Sequence, residues 1–297
     1  MSTLAMYSRD GRHCGKIVGE MSMTQSDTAF PTVRLGAMAL ALICLPGLAL
    51  GQSTFTHVHL RVPDAWAAAH WYHNLVGGDL RVGGERGMGA ARQPNGNIAT
   101  MYNEPDGSAA PSNVGSVIDH FSVYVDDVDA AVEKARSMGA TIDTEPQEGV
   151  TVSRIAYIVD PWGTRLEFLE DPDSSGLGHV HLMVNDRDEV RDWFLEIFGG
   201  EYDSERGGGR YHAISYGDVW IHISEVEEEM APSRTTSLDH FGFRIPETLQ
   251  SFAERIEATG YPPYLIRPNP PGSDLLWFEG PGGIHIEISS TAEAPAR

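Results

Sequence analysis

Two segments in the first half of the chain carry an alternating pattern, IDHFSVYV at 118–125 and DPWGTRLEF at 160–168. Successive side chains of a β-strand point to opposite faces of its sheet, so each segment has one polar face and one apolar face. Both segments are therefore predicted to be half-buried strands. His120 lies on the polar face of the first and Glu167 on the polar face of the second, so the two side chains can meet across a polar cavity.

The opening strand occurs four times along the chain. The four copies are FTHVHLRV, HFSVYV, HVHLMV and HFGFRI, and their histidines are His57, His120, His179 and His240. The intervals between these histidines are 63, 59 and 61 residues. A period this regular indicates four copies of one structural unit.

Each copy predicts the same order of elements, βαβββ. In the first unit Asp64 is the expected helix N-cap and Gly77-Gly78 ends the helix, and in the second unit Asp126-Asp127 is the corresponding cap. Short apolar runs separated by glycine and asparagine then predict three further strands in each unit.

The first and third units resemble each other, and so do the second and fourth. HWYHNLVGGDL at 70–80 matches DWFLEIFGGEY at 192–202, and Asp-His-Phe occurs at 119–121 and at 239–241. A two-unit module is therefore predicted to have been duplicated whole. The polar, flexible segment 170–178 is the expected linker, which gives predicted modules at 52–172 and 173–297.

Residues 1–51 differ in sequence pattern from the rest of the chain. LGAMALALICLPGLAL at 35–50 is an uncharged apolar run that follows Arg34 and ends in small residues, which predicts a secretory signal cleaved after Gly51. The run is shorter than a membrane-spanning helix needs, and Pro46 interrupts it. The sequence thus predicts a periplasmic or secreted protein with no membrane attachment after cleavage.

The composition excludes several classes of function. The chain contains 21 basic and 42 acidic residues, and four basic and three acidic ones lie in the leader, which leaves a net charge of −22 after cleavage. A surface of this sign repels nucleic acid and anionic membranes. Both cysteines, Cys14 and Cys44, also lie in the leader, so neither disulfides nor thiolate chemistry are expected in the mature chain.

The repeated strands resemble those of the vicinal oxygen chelate superfamily. This group contains glyoxalase I, extradiol ring-cleaving dioxygenases, methylmalonyl-CoA epimerase and the fosfomycin and bleomycin resistance proteins. The resemblance covers about residues 54 to 290 and rests on the four strand histidines and on the segments DPWGTRLE and GPGGIHIE. It implies an α+β fold in which units one and two pair into one module and units three and four into another, each a curved mixed sheet enclosing a cavity.

The resemblance also implies a divalent metal in each module, held by the first and last strands. The implied ligands of the first module are His57, His120 and Glu167, and those of the second are His179, His240 and Glu287. Two histidines and a carboxylate leave coordination positions open for two neighbouring substrate oxygens. This donor set suits zinc, iron, manganese and nickel alike. Glyoxalase I has a fourth ligand, for which the candidates are Glu104, His222 and Glu225.

Six further residues are expected in or near the sites. His59 and His181 each follow a ligand by two residues and so share its face, which makes them candidates for proton transfer or substrate contact as well as plain cavity lining. Tyr157 matches the tyrosine in the second half of the extradiol dioxygenase signature. The inward-facing arginines Arg61, Arg165 and Arg244 would suit an anionic substrate, with surface salt bridges as the alternative.

Together with the predicted export, the resemblance implies an exported, glyoxalase-like metal-dependent lyase or isomerase that acts on a small oxygen-rich substrate. An extradiol-type dioxygenase is the first alternative, although 145–156 lacks the histidine that the signature requires. A ligand-binding protein without catalysis, as among the bleomycin resistance proteins, is the second. The expected partner is a small molecule, and both monomer and homodimer are compatible with the sequence.

Overall fold

The computed structural model describes residues 52–83, 87–102, 107–267 and 274–292. The predicted secretory signal and Glu104 lie outside this part of the chain. Within it the four βαβββ units follow one another as the sequence predicts. Among the described residues, no helix has both the length and the apolar character that crossing a membrane requires.

Units one and two occupy the first half of the chain. Unit one contains β1 (Thr54–Val62), α1 (Ala65–Val76), β2 (Asp79–Gly83), β3 (Met88–Gln93) and β4 (Gly96–Tyr102). Unit two contains β5 (Ile118–Tyr124), α2 (Val128–Ser137), β6 (Thr141–Glu148), β7 (Arg154–Val159) and β8 (Arg165–Glu170).

Units three and four repeat this order. Unit three contains β9 (Leu177–Val184), α3 (Arg187–Phe198), β10 (Glu201–Asp203), a short 3-10 turn (Arg206–Gly209), β11 (His212–Tyr216) and β12 (Val219–Glu225). Unit four contains β13 (Leu238–Ile245), α4 (Leu249–Glu257), β14 (Leu265–Arg267), β15 (Leu275–Glu279), a 3-10 turn (Pro281–Gly283) and β16 (His285–Ser290).

The helices begin where the sequence predicts. The Asp64 carboxylate accepts hydrogen bonds from the first-turn amides of α1, at 3.0 Å, and Asp127 accepts one from Ala130 at the start of α2. These bonds satisfy donors that the first turn of a helix otherwise leaves without partners. Gly77 ends α1 at a positive φ of 76°, a conformation that glycine adopts without strain.

The strands form two mixed eight-stranded sheets, which confirms the predicted α+β class. The first sheet has the order β14-β15-β16-β13-β1-β4-β3-β2, and the second has the order β10-β11-β12-β9-β5-β8-β7-β6. Unit one is therefore paired with unit four, and unit two with unit three. The predicted pairing of unit one with two, and of three with four, is wrong.

The lengths of the connections between units account for the observed pairing of unit one with four and unit two with three. All four opening strands carry the same polar and apolar faces, so the alternation alone does not select a partner. The connection 171–176 is much shorter than 103–117 or 226–237, and it brings β9 beside β5 in the same sheet. The two longer connections cross between the sheets. The predicted linker thus joins two units of one sheet.

The two sheets are joined by contacts between units one and two and by contacts between units three and four. The Tyr72 hydroxyl on α1 donates a hydrogen bond of 2.6 Å to Asp160, in the turn between β7 and β8, and the Trp71 indole donates one of 2.9 Å to the Met138 carbonyl. On the other side, Phe198 of α3 stacks on Phe243 of β13 with ring centroids 4.4 Å apart. The apolar core therefore runs through both sheets.

Two candidate metal centres

Each sheet gathers histidine and carboxylate side chains where its two opening strands run side by side. Site 1 is defined here as His57 on β1, His240 on β13 and Glu287 on β16. Site 2 is defined as His120 on β5, His179 on β9 and Glu167 on β8. Each site therefore draws its side chains from both halves of the chain.

Site 2 has the tighter geometry. The Nε2 atoms of His120 and His179 are 3.1 Å apart, and Glu167 Oε2 lies 3.3 Å from the first and 3.0 Å from the second. A metal with ligands at ~2.1 Å and at right angles holds those ligands ~3.0 Å apart. The three atoms thus already have the spacing of one face of a metal coordination shell, and all three side chains are buried.

Two hydrogen bonds fix the orientation of the site 2 histidines. Asp119 is bonded to Nδ1 of His120 at 2.6 Å, and the Arg165 guanidinium is bonded in turn to Asp119. The Ser122 hydroxyl is 2.8 Å from Nδ1 of His179. In both rings the hydrogen bond engages Nδ1 and leaves Nε2 directed at Glu167, the arrangement that metal-binding histidines usually have.

Burial and these partners set the charge of the site. The pKa of Glu167 is lowered: burial opposes ionisation, but hydrogen bonds from His120 and His179 outweigh it. Burial lowers the pKa of His179. Burial also opposes the charged form of His120, but the hydrogen bonds to Asp119 and Glu167 outweigh burial, so the pKa of His120 is raised. Site 2 thus offers an ionised carboxylate and a neutral imidazole, and a metal would replace the proton of the second imidazole.

Two of the other residues expected near site 2 reach it. A ring nitrogen of His181 lies within 4.8 Å of the ligand nitrogens of His120 and His179, and its Nε2 is 2.8 Å from the Ser224 hydroxyl. Tyr157 pairs with Glu167 across the sheet, and burial and the neighbouring Glu167 raise the pKa of its phenol. Tyr157 is therefore a neutral donor towards Glu167.

The candidates for a fourth ligand differ in position. The His222 ring stacks on His179 with centroids 4.1 Å apart, and its Nε2 accepts a hydrogen bond of 3.3 Å from Arg206. That nitrogen is thus engaged by a cation rather than free for a metal. Glu225 is exposed at the end of β12.

Site 1 is the more open of the two centres. His240 Nε2 is 3.5 Å from Glu287 Oε2, and His57 Nε2 is 3.8 Å from Oε1. His59 joins this group, since one donor atom from each of the four residues lies within 4.8 Å of the others. The Nε2 atoms of His59 and His240 are buried without a hydrogen-bond partner. Leaving such atoms unpaired is costly, and a cation among them would satisfy both.

The histidines of site 1 carry partners of their own. Thr56 Oγ1 is 2.9 Å from Nδ1 of His57, and Asp239 is 2.6 Å from Nδ1 of His240. Burial lowers the pKa of His57 to about 4. Burial also opposes the charged form of His240, but the hydrogen bond to Asp239 and the neighbouring carboxylate of Glu287 raise its pKa to about 9.

A cavity of about 540 Å³ opens beside site 1, and Arg244 lies on its wall with His57 and Glu287. The other two arginines expected to contact substrate have carboxylate neighbours. Arg61 is 3.6 Å from Asp239, and Arg165 is paired with Asp119 and Asp143. A role in substrate binding stays a prediction for all three.

The expected grouping of the six candidate metal ligands is wrong, although the same six residues make up the two sites. His57 was expected to share a metal with His120 and Glu167, but it lies with Glu287 and His240 in the first sheet. Likewise His179 lies with His120 and Glu167 and not with His240. Each ligand occupies the same position on its own strand in either grouping, and only the pairing of whole units separates the two.

Sequence reasoning missed the residues that support these ligands. Asp119 and Asp239 directly precede His120 and His240, so the shared Asp-His-Phe motif could have identified both. No comparable signal marks Ser122 or Arg206, because their contacts come from a neighbouring strand and from a loop.

Comparison with known proteins shows the family. The model of the Glyoxalase/Bleomycin resistance protein/Dioxygenase superfamily matches residues 54–168 and 176–288. The chain belongs to this superfamily. The sequence resemblance to the vicinal oxygen chelate group is thereby confirmed, and so are two tandem copies of the module along the sequence, although each sheet combines one unit from either copy.

Individual relatives are more distant. A probable chloroplastic lactoylglutathione lyase from Arabidopsis thaliana is 35% identical over 103 residues, which cover 33% of this chain and only 29% of that protein. Glyoxalase I from Zea mays matches the fold with a TM-score of 0.63 at 18% identity, over 80% of this chain and 92% of the other. A putative dioxygenase from Bacillus subtilis matches with a TM-score of 0.59 at 16% identity, over 82% and 86%.

Proposed function

We propose that this superfamily member is a metal-dependent lyase or isomerase of the glyoxalase type, with site 2 as its catalytic centre. Its substrate is a small compound whose two neighbouring oxygens bind the metal. The observation that carries the proposal is the triangle of His120 Nε2, His179 Nε2 and Glu167 Oε2, with edges of 3.0 to 3.3 Å. Three ligands on one face leave the opposite positions of a divalent cation for substrate.

The chemistry of such a centre is a proton shift between neighbouring carbons. A bound divalent cation would polarise a substrate carbonyl and make the adjacent C–H more acidic. His181 has a ring nitrogen within 4.8 Å of the ligand nitrogens of His120 and His179, and it is the residue that would take that proton and return it to the next carbon. Tyr157 holds Glu167 in place, and the buried position of the three ligands excludes water.

One relative and the predicted leader each suggest a class of substrate to test. The name lactoylglutathione lyase points to a thioester of glutathione. The predicted secretory leader, which we propose directs the chain to the periplasm or the medium, favours instead a hydroxy-carbonyl compound without thiol, because glutathione is scarce outside the cytoplasm.

The test combines metal analysis with turnover. We expect the purified protein to contain zinc, iron, manganese or nickel. It should either form S-lactoylglutathione from methylglyoxal and glutathione or isomerise a thiol-free hydroxy-carbonyl such as dihydroxyacetone. Glu167→Gln should abolish turnover and lower the metal content, and Glu287→Gln is the matched control, which should keep turnover. Wild-type protein without metal would overturn the proposal. Oxygen uptake on catechol would favour the dioxygenase, and ligand binding without turnover would favour sequestration.

A further inference from the structure

Units one and three differ in the length of the loop that leads from the second to the third strand of the unit. In unit one this loop is 84–87, and in unit three it is the longer segment 204–211. The longer loop turns through three consecutive glycines, 207–209, all with positive φ, a conformation that residues with a Cβ adopt at a cost. It brings Arg206 and Tyr211 to site 2.

Arg206 is held firmly at the edge of the metal ligands. Its guanidinium lies 4.1 Å from the centre of the Trp220 ring, and its Nε donates to His222. His222 is buried and stacks on His179 on one side and on Tyr211 on the other, with centroids 4.1 and 4.3 Å apart. The arginine is therefore separated from the ligand His179 by a single ring, that of His222.

Site 1 lacks the platform that holds this arginine. In the second sheet Trp220 is in register with His179, and His222 with His181. In the first sheet the corresponding positions opposite His57 and His59 are Asn97 and Ala99. Neither residue has an aromatic face or a ring nitrogen with which to hold a guanidinium.

The charge of Arg206 is not balanced locally. Within the described part of the chain its guanidinium has no carboxylate partner, and its two terminal nitrogens make no hydrogen bond. Asp119 is already paired with Arg165, so Glu167 is the carboxylate that remains to offset a divalent cation at site 2. With a metal bound, the site carries an excess of positive charge in a buried setting, which favours an anionic ligand.

We propose that Arg206 binds a carboxylate of the substrate at site 2, so that the substrate is a vicinal oxygen compound with an additional anionic group. This inference rests on the proposed function, because it assigns a substrate class to the same centre. The planar fork of the guanidinium matches a carboxylate in two parallel hydrogen bonds. Stacking on Trp220 and bonding through Nε leave that fork free.

The test uses two probes that share the same vicinal oxygens. 2-Oxoglutarate carries a second carboxylate, and 2-oxopentanoate has a chain of the same length without it. Calorimetric titration of the metal-loaded protein should show that wild type binds 2-oxoglutarate at least about tenfold more tightly, as a charge-assisted pair provides. In Arg206→Gln this preference should fall to about twofold or less, and Arg206→Lys should retain part of it.

Arg210→Gln is the matched control. It removes the same charge from the same loop, but Arg210 donates to the Gly207 carbonyl and makes no hydrogen bond to His222, so the preference should persist. Metal content is measured in every variant. A metal-loaded wild type without the preference, or an unchanged preference in Arg206→Gln, would overturn the inference alone. Wild type that holds no metal at site 2 would overturn the proposed function and the inference with it.

Discussion

Removal of the Ser122 hydroxyl should weaken metal binding at site 2 and leave site 1 intact. Ser122 Oγ accepts the backbone N–H of His179 at 2.7 Å and pairs with Nδ1 of the same residue at 2.8 Å. Its side chain is fully buried, so water does not replace it. Loss of such a support typically lowers metal affinity 10–100-fold, and an unpaired buried group costs ~1–3 kcal/mol of folding free energy.

Site 1 shows a second position from which the supporting hydroxyl can be supplied. There the hydroxyl on the first histidine comes from Thr56, the residue before His57, and the position equivalent to Ser122 is Gly242. In site 2 the residue before His179 is Gly178. A Cβ at Gly178 would lie 2.6 Å from Ser122 Oγ, and a Cβ at Gly242 would lie 2.8 Å from Thr56 Oγ1. Each site therefore has space for one hydroxyl-bearing residue at this pair of positions.

Three variants test whether the hydroxyl can be moved from position 122 to position 178. Ser122→Gly should lose about 10–100-fold in metal affinity at site 2, and Gly178→Thr should also lose affinity because of the overlap. The double variant should recover most of it. Competition with a chelating dye of known affinity measures all three, with site 1 as the internal reference. Unchanged affinity in Ser122→Gly, or a double variant worse than both single ones, would refute the reasoning.

Three further predictions follow from the arrangement of the sites. The double variant His57→Ala, Glu167→Ala should lose both metals, because the two residues belong to different sites. One full equivalent of metal in elemental analysis would instead support the grouping that the sequence predicted. Gly242→Ala should lower the metal affinity of site 1 by about tenfold or more, since the new Cβ would lie 2.3 Å from His57 Cε1, and the affinity of site 2 in the same titration is its control. Burial raises the pKa of Asp160 from 3.8 to about 6, so the free energy of unfolding should fall by up to about 3 kcal/mol as the pH rises from about 4 to beyond 6. Denaturant titrations across this range should show a weaker pH dependence in Asp160→Asn, and an identical dependence in both proteins would contradict the assignment.

The sequence predicted what depends on local pattern. Strand alternation placed His120 and Glu167 on polar faces, and the period of about sixty residues identified four units. Both follow from side-chain geometry within one strand or one repeat. The helix caps at Asp64 and Asp127 are local in the same sense, and the structure confirms them.

The partner of each unit could not be read from the sequence, because four similar strands offer several equivalent pairings. The lengths of the connections distinguish these pairings. The composition of segment 170–178 indicates a flexible connection but does not show which strands become neighbours. The role of Arg206 was hidden for a related reason. Its position depends on a loop whose path is set by contacts with Trp220 and His222, which lie on another strand.

The order of strands in the first sheet has a consequence for biosynthesis. β1 is made first, yet its neighbour β13 and the strand that carries Glu287 are made last, whereas site 2 has all its ligands once β9 has emerged. A nascent chain can thus form the second sheet while one edge of β1 is still unpaired. The centre that begins nearest the N-terminus is the last to be completed, and a polypeptide cut between residues 172 and 173 would contain neither.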